Sequence, residues 1–330
     1  MAIMQAKWLQ AKQKEGGPKA RSSHAVAVVG KKAYVFGGEL EPRVPVDNAM
    51  YVFDTEDYSW SVAEARGPAP PPRIGITMVS VGPLVYVFGG RDKEHRELGE
   101  FYSFDTVSGE WRVLPSGPPE RSYHAMAADD SRREVYVFGG CGINGRLNDL
   151  WAFNIEQGTW RQLPSPPEGS NLVPRGGPGL AVAGGKVWVL FGFGGKHELS
   201  DIHCFDHVTN LWQEVETSGK KPCPRSVFAA SVQGKYIVVY GGEVDPSDKG
   251  HMGAGAFSSE VFALDTQSLE WSRVHDDVEG SAHPGPRGWS AFSPGFFCGC
   301  YGMLVYGGNS PSNERLDDIF FLQLQPPVST

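Results

Sequence analysis

The sequence predicts an all-β fold, a six-bladed β-propeller with four antiparallel strands per blade, on three observations. Short aromatic or β-branched runs alternate with turn residues, and the 42 glycines and 25 prolines lack the spacing of collagen. Arginines, usually after proline, open successive repeats, and tryptophans follow with a period of about fifty residues. One short sheet cannot bury both faces alone, so such repeats stack around an axis and make one domain of residues 1–330.

Three landmarks recur in each repeat. The opening arginines are Arg21, Arg73, Arg121, Arg175, Arg225 and Arg287. A strand then ends in a glycine pair, at Gly37-Gly38, Gly89-Gly90, Gly139-Gly140, Gly194-Gly195, Gly241-Gly242 and Gly307-Gly308. A second aromatic strand precedes a tryptophan, at Trp60, Trp111, Trp160, Trp212 and Trp271. The pairs allow close backbone approach, and we expect the tryptophans to fill the space between adjacent blades.

The final repeat predicts how the ring closes. Its last strand, around Ile319 to Leu322, reaches the C-terminal region without a tryptophan. Trp8 supplies the missing member, because it precedes Arg21 as each outer strand precedes the next arginine. We therefore expect the last blade to combine strands from both ends of the chain.

Composition narrows the function classes. Hydrophobic residues make up 40% and charged residues 21%, with a net charge of −8, which argues against general binding to nucleic acid or anionic membrane. No apolar stretch suits a signal peptide or a membrane span, so we expect a cytoplasmic protein. The five cysteines favour reduced thiols, and a propeller that buries its own edges is expected to be a monomer or weak homodimer.

One mouth of the ring is predicted to carry the function. The six arginines open the innermost strands there, and the loops after the glycine pairs leave from the same mouth. Two interpretations stand: the arginines form a positive field that attracts small anions, or they pair with carboxylates and carbonyls and tie the blades together. Arg91 lies outside the repeated series and opens a loop, which favours a binding role.

The longest loop at this mouth follows the glycine pair of blade five. It runs from Glu243 to Gly255 and contains Asp245, Asp248 and His251. Carboxylates with an imidazole suit a divalent iron site, and a solvated acidic loop is the alternative.

Beyond kelch repeats in general, the chain resembles the plant specifier proteins, the nitrile-specifier, epithiospecifier and thiocyanate-forming group. The matching segments run from the first blade to the last: Gly17 to His24, Phe88 to Asp92, Pro224 to Ala229, Pro286 to Trp289 and Asn313 to Asp318. The resemblance implies a lyase that acts on the thiohydroximate-O-sulfate released from glucosinolates by myrosinase and diverts it toward nitriles or related products.

The resemblance also implies an Fe(II) site with a Glu-x-x-x-Asp-x-x-x-His pattern. Glu243 and His251 match it, but the middle position is Ser247, so Asp248 or Asp245 would have to supply the remaining carboxylate. Without one of them, iron affinity or activity would be lost.

The remaining site residues also come from the resemblance. Arg91 matches an arginine that would hold the substrate's sulfate, Trp289 matches a pocket tryptophan, and Tyr123 stands where the family has phenylalanine. Packing between blades is the alternative role for Trp289 and Tyr123. The alternative function is a non-catalytic kelch module whose basic rim binds an acidic peptide or small anion.

Overall fold

Six sheets form the blades of a propeller in the computed structural model. The four main strands of each blade are antiparallel and follow chain order from the axis outward, except that the outermost strand of the last blade comes from the N-terminal region. The structure describes residues 3–276 and 282–328. The predicted six-bladed, all-β fold is confirmed. The described residues contain one short 3₁₀ helix, Gly250–Met252, and no helix long and apolar enough to cross a membrane.

The strands fall into blades as the repeat predicts. Blade one holds β2–β5, which are Ala25–Val29, Lys32–Phe36, Tyr51–Asp54 and Trp60–Val62. Blade two holds β6–β9, which are Thr77–Val81, Leu84–Phe88, Phe101–Asp105 and Glu110–Leu114. Blade three holds β10–β14, which are Arg121–Ser122, Ala125–Asp129, Glu134–Gly142, Gly145–Asn154 and Thr159–Gln162.

Of the remaining blades, five and six depart from the pattern of four consecutive strands. Blade four holds β15–β18, which are Gly179–Ala183, Lys186–Phe193, Glu198–Asp206 and Leu211–Glu214. Blade five holds β19–β21, β24 and β25, which are Ser218–Gly219, Ala229–Gln233, Tyr236–Tyr240, Val261–Asp265 and Glu270–Arg273. Its long loop forms a separate two-stranded ribbon of β22 and β23, Glu243–Asp245 and Ala256–Phe257. Blade six holds β26–β28, which are Ala291–Phe297, Cys300–Asn309 and Arg315–Val328, together with β1, Ile3–Gln10.

The hydrophobic core lies at the seams between blades. Six buried clusters each combine apolar side chains of two neighbouring blades, so each seam has its own core. The repeat tryptophans take part in these clusters, and Trp111, for example, packs with blade-one residues while it belongs to blade two. The predicted role of the tryptophans between blades is confirmed.

The closure of blade six also follows the prediction. Strand β1 pairs antiparallel with β28, with Trp8 opposite Leu322. The indole Nε1 of Trp8 donates to Asp276 Oδ2 at 2.8 Å, and Trp8 is 1% exposed. The N-terminal strand is thereby fixed to both blade six and the end of blade five.

The glycine pair predicted for blade four at Gly194-Gly195 is wrong. In the other blades, the opening arginine donates to the carbonyl of the first glycine, as Arg225 Nη1 does to Gly241 O at 2.9 Å. In blade four, Arg175 Nη1 donates to Phe191 O at 2.9 Å. Phe191 also has the left-handed φ of 53° that the first glycines adopt, so Phe191-Gly192 is the true counterpart of the pair.

Candidate functional site

A closed ring of backbone hydrogen bonds surrounds the axis at the predicted mouth. Its members lie two residues after each opening arginine, all have φ between 47° and 61°, and each N–H donates to the carbonyl of the member in the preceding blade. We call this the axial ring: Ser23, Gly75, Tyr123, Gly177, Val227 and Trp289. Because the ring holds Tyr123 and Trp289 at the axis, both side chains line the cavity above it and the cavity below it.

The six opening arginines do not present their charges to the mouth. They are 0–2% exposed, and each donates from Nη1 to a carbonyl in its own blade. Five of them also pair with a carboxylate, as Arg121 does with Asp149 at 2.7 Å. The expectation that these arginines form a ligand-attracting field is therefore wrong. They pair with carboxylates and carbonyls, as the alternative held, but these contacts lie within each arginine's own blade and do not tie neighbouring blades together.

The candidate site is a cavity of about 190 Å³ at this mouth. Tyr123, His251 and Trp289 form one wall. The His251 ring stacks on Tyr123 with ring centres 5.0 Å apart and an interplanar angle of 17°, and the ring centres of His251 and Trp289 lie 4.8 Å apart at 67°. We call these three residues the aromatic wall. The resemblance placed Tyr123 and Trp289 at a pocket, and the structure brings both there together with His251.

Arg91 lies beside the aromatic wall, with its charge largely compensated. Its guanidinium sits 5.8 Å from the centre of the Tyr123 ring, and its Nε donates to Glu97 Oε1 at 3.0 Å. Burial would lower the pKa of Arg91, but the bond and charge of Glu97 outweigh it and raise that pKa. Arg91 therefore remains a cation, held by a buried carboxylate at the edge of the site.

Arg146 is a cation that the sequence prediction missed. It lines the cavity, and its guanidinium lies 4.7 Å from the centre of the Phe193 ring. Within residues 3–276 and 282–328 no carboxylate forms an ion pair with it, and its buried Nε has no hydrogen-bond partner. Like Arg91, it stands outside the repeated arginine series and follows a glycine pair by a few residues. That signal could have identified it.

The predicted metal donors are only partly brought together. Glu243 and His251 line the same cavity, as does Ser247. Asp245 and Asp248 are exposed, and Asp248 is not part of the cavity lining. In the part of the chain that the structure describes, no three His, Cys, Asp or Glu side chains converge as a metal ion requires. The residues as arranged do not fit Fe(II).

Burial shifts the acids of the cavity. It raises the pKa of Glu243 to about 7, although backbone N–H groups of Gly255 and Ser247 oppose the shift. Glu198, at the start of β17, is 5% exposed and neither carboxylate oxygen has a hydrogen-bond partner. Burial is the main cause that raises the pKa of Glu198 to about 8; Ser226 and the charge of Arg146 oppose the shift, and the charge of Glu243 adds to it. Near neutral pH Glu198 is therefore mostly protonated, whereas Glu243 is about half ionised.

The pKa of His251 is lowered, whereas those of the two glutamates are raised. Burial, together with the charges of Arg91, Arg43 and Arg146, lowers its pKa to about 4. His251 is therefore a neutral ring at physiological pH. The charge of the site comes from arginines, and its shape from aromatic rings.

Comparison with known proteins agrees with this architecture. The family described as the KLHDC2/KLHL20/DRC7 Kelch-repeats domain matches residues 23–242. An N-(sulfonatooxy)prop-2-enimidothioate sulfolyase of Thlaspi arvense is 42% identical, over 96% of this chain and 97% of its own length. The chain belongs to the kelch-repeat family, in the group of plant specifier proteins.

Other kelch proteins match less of the chain. The human Kelch domain-containing protein 3 is 31% identical over 71% of this chain and 64% of its own length. The Acyl-CoA-binding domain-containing protein 4 of Arabidopsis thaliana is 27% identical over 78% of this chain and 38% of its own length. Between these matches, the likeness to the sulfolyase is the one that runs nearly end to end in both chains.

Proposed function

We propose that this kelch propeller is a sulfolyase of the specifier type, which acts on a thiohydroximate-O-sulfate and diverts it toward a nitrile or a related product. The near end-to-end likeness to the Thlaspi sulfolyase supports this substrate class. The observation that carries the proposal is the mouth cavity, where Arg146 faces a space walled by aromatic rings and has no ion-pair partner among the described residues. A guanidinium in that setting suits the oxygens of a sulfate ester.

The chain's own residues would bind and orient the substrate. Arg146 donates hydrogen bonds to the sulfate, with Arg91 adding positive charge from the edge of the cavity. Tyr123 and Trp289 cover the organic part and exclude water, which strengthens these electrostatic contacts. Stabilising the departing sulfate favours heterolytic cleavage of the N–O bond, whose electron pair leaves with the sulfate. The thiolate form of the substrate thereby becomes a neutral R–C(S)N fragment, which expels its sulfur as S(0) and leaves the nitrile, so the step needs no external oxidant or reductant.

Fe(II) is the cofactor that the family resemblance implies, with Glu243, Asp248 and His251 as its predicted donors. Because the donor set does not converge in the described residues, we derive no step through a metal. Myrosinase is the functional partner that the substrate implies, since the aglucone must be supplied by hydrolysis of a glucosinolate. Cytoplasmic location and a monomeric or weakly dimeric state stay predictions.

Product analysis tests the proposal. The purified protein would be incubated with myrosinase and a glucosinolate, and the products separated by gas chromatography. We expect a nitrile or thiocyanate fraction above that of myrosinase alone, and at least a ten-fold loss of that fraction in Arg146→Ala, because charged hydrogen bonds contribute about 1.5–3 kcal/mol. Arg112→Ala, at an exposed arginine on an outer strand, is the matched control. Isothiocyanate as the sole product would refute the proposal.

A further inference from the structure

The blade-five loop places the ring of His251 against the other two rings of the aromatic wall. The imidazole lies nearly flat on Tyr123 and meets Trp289 in an edge-to-face arrangement. Tyr123 and Trp289 are themselves fixed by the axial ring, through N–H bonds of 2.8 Å to Gly75 O and 3.0 Å to Val227 O. Three rings on rigid backbone form one surface, and such contacts contribute about 0.5–1.5 kcal/mol each beyond the area they bury.

The rest of the loop turns its acids away from this surface. Asp245 and Asp248 are exposed, whereas Ser247 lies against the cavity. The hydroxyl Oγ of Ser247 accepts a hydrogen bond from the Lys249 N–H at 3.2 Å, in the turn that precedes the 3₁₀ helix. Ser247 thus has a local structural partner, and of the three acids of the loop Glu243 alone lies against the cavity.

The charge around His251 is positive. Arg43, Arg91 and Arg146 all act electrostatically on its ring. Arg91 is compensated by Glu97, while the described residues give Arg43 and Arg146 no ion-pair partner. A dication in this cavity would be repelled by these guanidinium groups, whereas an organic anion would be attracted to them.

We propose that the cavity is a metal-independent clamp for a small organic sulfate, with Arg146 as the charge anchor and His251 as a ring of the aromatic wall. The inference rests on the anion-binding function proposed above and differs from the family resemblance in the role of His251. The sulfate faces Arg146 beside Phe193, and the organic part faces Tyr123, His251 and Trp289. Aromatic rings accept flat or unsaturated groups best, so the ligand class is an unsaturated or aromatic sulfate ester.

Binding measurements with and without metal test the proposal. The probe is 4-nitrophenyl sulfate, titrated into the protein by calorimetry under anaerobic conditions, once with EDTA and once with Fe(II). We expect dissociation constants that agree within about two-fold, since no bond to a metal contributes. Arg146→Ala should weaken binding by about ten-fold or more, because a charged hydrogen bond is lost. Thermal unfolding of each variant checks that it is folded.

A matched pair of variants tests the role of His251. His251→Phe keeps a flat ring and removes both ring nitrogens that could bind a metal. We therefore expect its affinity for the probe to lie within about two-fold of the wild type. His251→Ala removes the ring and should weaken binding by about five-fold. A parallel titration of Fe(II) alone should show no saturable binding that depends on Glu243, as judged with Glu243→Ala.

The outcomes separate this inference from the proposed function. Probe binding that needs Fe(II) and is lost in both Glu243→Ala and His251→Phe would overturn the metal-independent clamp and leave the anion site standing. Absence of probe binding under both conditions would overturn the clamp and remove the support that the cavity gives to the sulfolyase. Equal affinity of His251→Phe and His251→Ala would show that the ring contributes nothing and would also overturn the clamp.

Discussion

Phe191 occupies a backbone position that glycine holds in the other five blades. Its φ is 53°, where an L side chain costs about 1–2 kcal/mol. The benzyl ring is buried against Phe228 and Trp271, with ring centres 5.5 and 5.9 Å away. Burying such a ring contributes about 1.5–3 kcal/mol, so packing at the seam between blades four and five offsets the strain.

The strain at Phe191 predicts that the glycine variant at this position is more stable than the alanine variant. Phe191→Gly and Phe191→Ala should both lose about 2–5 kcal/mol, because each removes the ring. Phe191→Gly should be the more stable of the two by about 1 kcal/mol, because glycine adopts this φ without penalty. Equilibrium unfolding in urea measures both values.

The same pair of changes at Val189 is the control. Val189 lies in the same strand, is fully buried and has no left-handed φ. There glycine should be less stable than alanine by about 0.5–1 kcal/mol, the usual order in a strand. The same order at both positions would show that Phe191 is not strained.

At the scale of elements, strand β1 decides whether the ring closes. It covers the edge of β28, and its indole at Trp8 packs at 4.7 Å on Tyr240 of blade five. Asp276, which accepts the indole N–H, also contacts His283 Nε2 at 3.0 Å. Blades five and six are thus joined by one buried tryptophan and one buried carboxylate.

Trp8→Phe should destabilise the protein by about 2 kcal/mol or more. The change removes a hydrogen bond to a buried carboxylate, a class of bond that contributes about 1.5–3 kcal/mol, and leaves a small void. Trp60→Phe is the matched control, because Trp60 donates to Gln13 Oε1 at the same 2.8 Å but is half-buried, so water can replace the bond. Equal losses of unfolding free energy in urea for the two variants would contradict a special role for the closing strand.

At the scale of the whole molecule, repetition is what made the fold predictable from sequence. The spacing of arginines and tryptophans set the blade count, and the missing tryptophan pointed to Trp8. The pairing of the arginines was not predicted, although the sequence carries a signal for it. Four of the five carboxylate partners each stand four residues before the Phe or Leu of the aromatic strand in their repeat, namely Glu100, Asp149, Asp201 and Asp318. Arg146 was missed although it follows a glycine pair as Arg91 does, and Glu198 was missed because its role depends on burial.

Buried histidines and buried glutamates should together give the stability of the folded protein a maximum near neutral pH. Burial lowers the pKa of His24 and His124 well below 6.5, and the charges of Arg21 and Arg121 add to the shift. The unfolded chain takes up these protons as pH falls through about 6.5 and the folded chain does not, so stability is lost on the acid side. Burial lowers the pKa of two further histidines, His207 and His251.

The buried glutamates change the folding stability with pH in the opposite direction from the histidines. Glu198 and Glu243 keep their protons in the folded state up to about pH 8 and about pH 7. In the unfolded chain they ionise near about pH 4.3, so stability falls as pH rises from there through the folded values. Below about pH 6.5 the four histidines outweigh the two acids, and above it the acids dominate.

Denaturation curves across pH 5 to 9 test this balance. For each group, stability should change by about 1.4 kcal/mol per pH unit within its window. We expect the double variant His24→Gln/His124→Gln to lose much of the slope below pH 6.5, and Glu198→Gln to fall less in stability than the wild type between about pH 6.5 and 8. His95→Gln, at an exposed histidine, is the control and should follow the wild-type curve. If the double histidine variant runs parallel to the wild type on the acid side, these histidines are protonated in the folded state and the predicted balance is wrong.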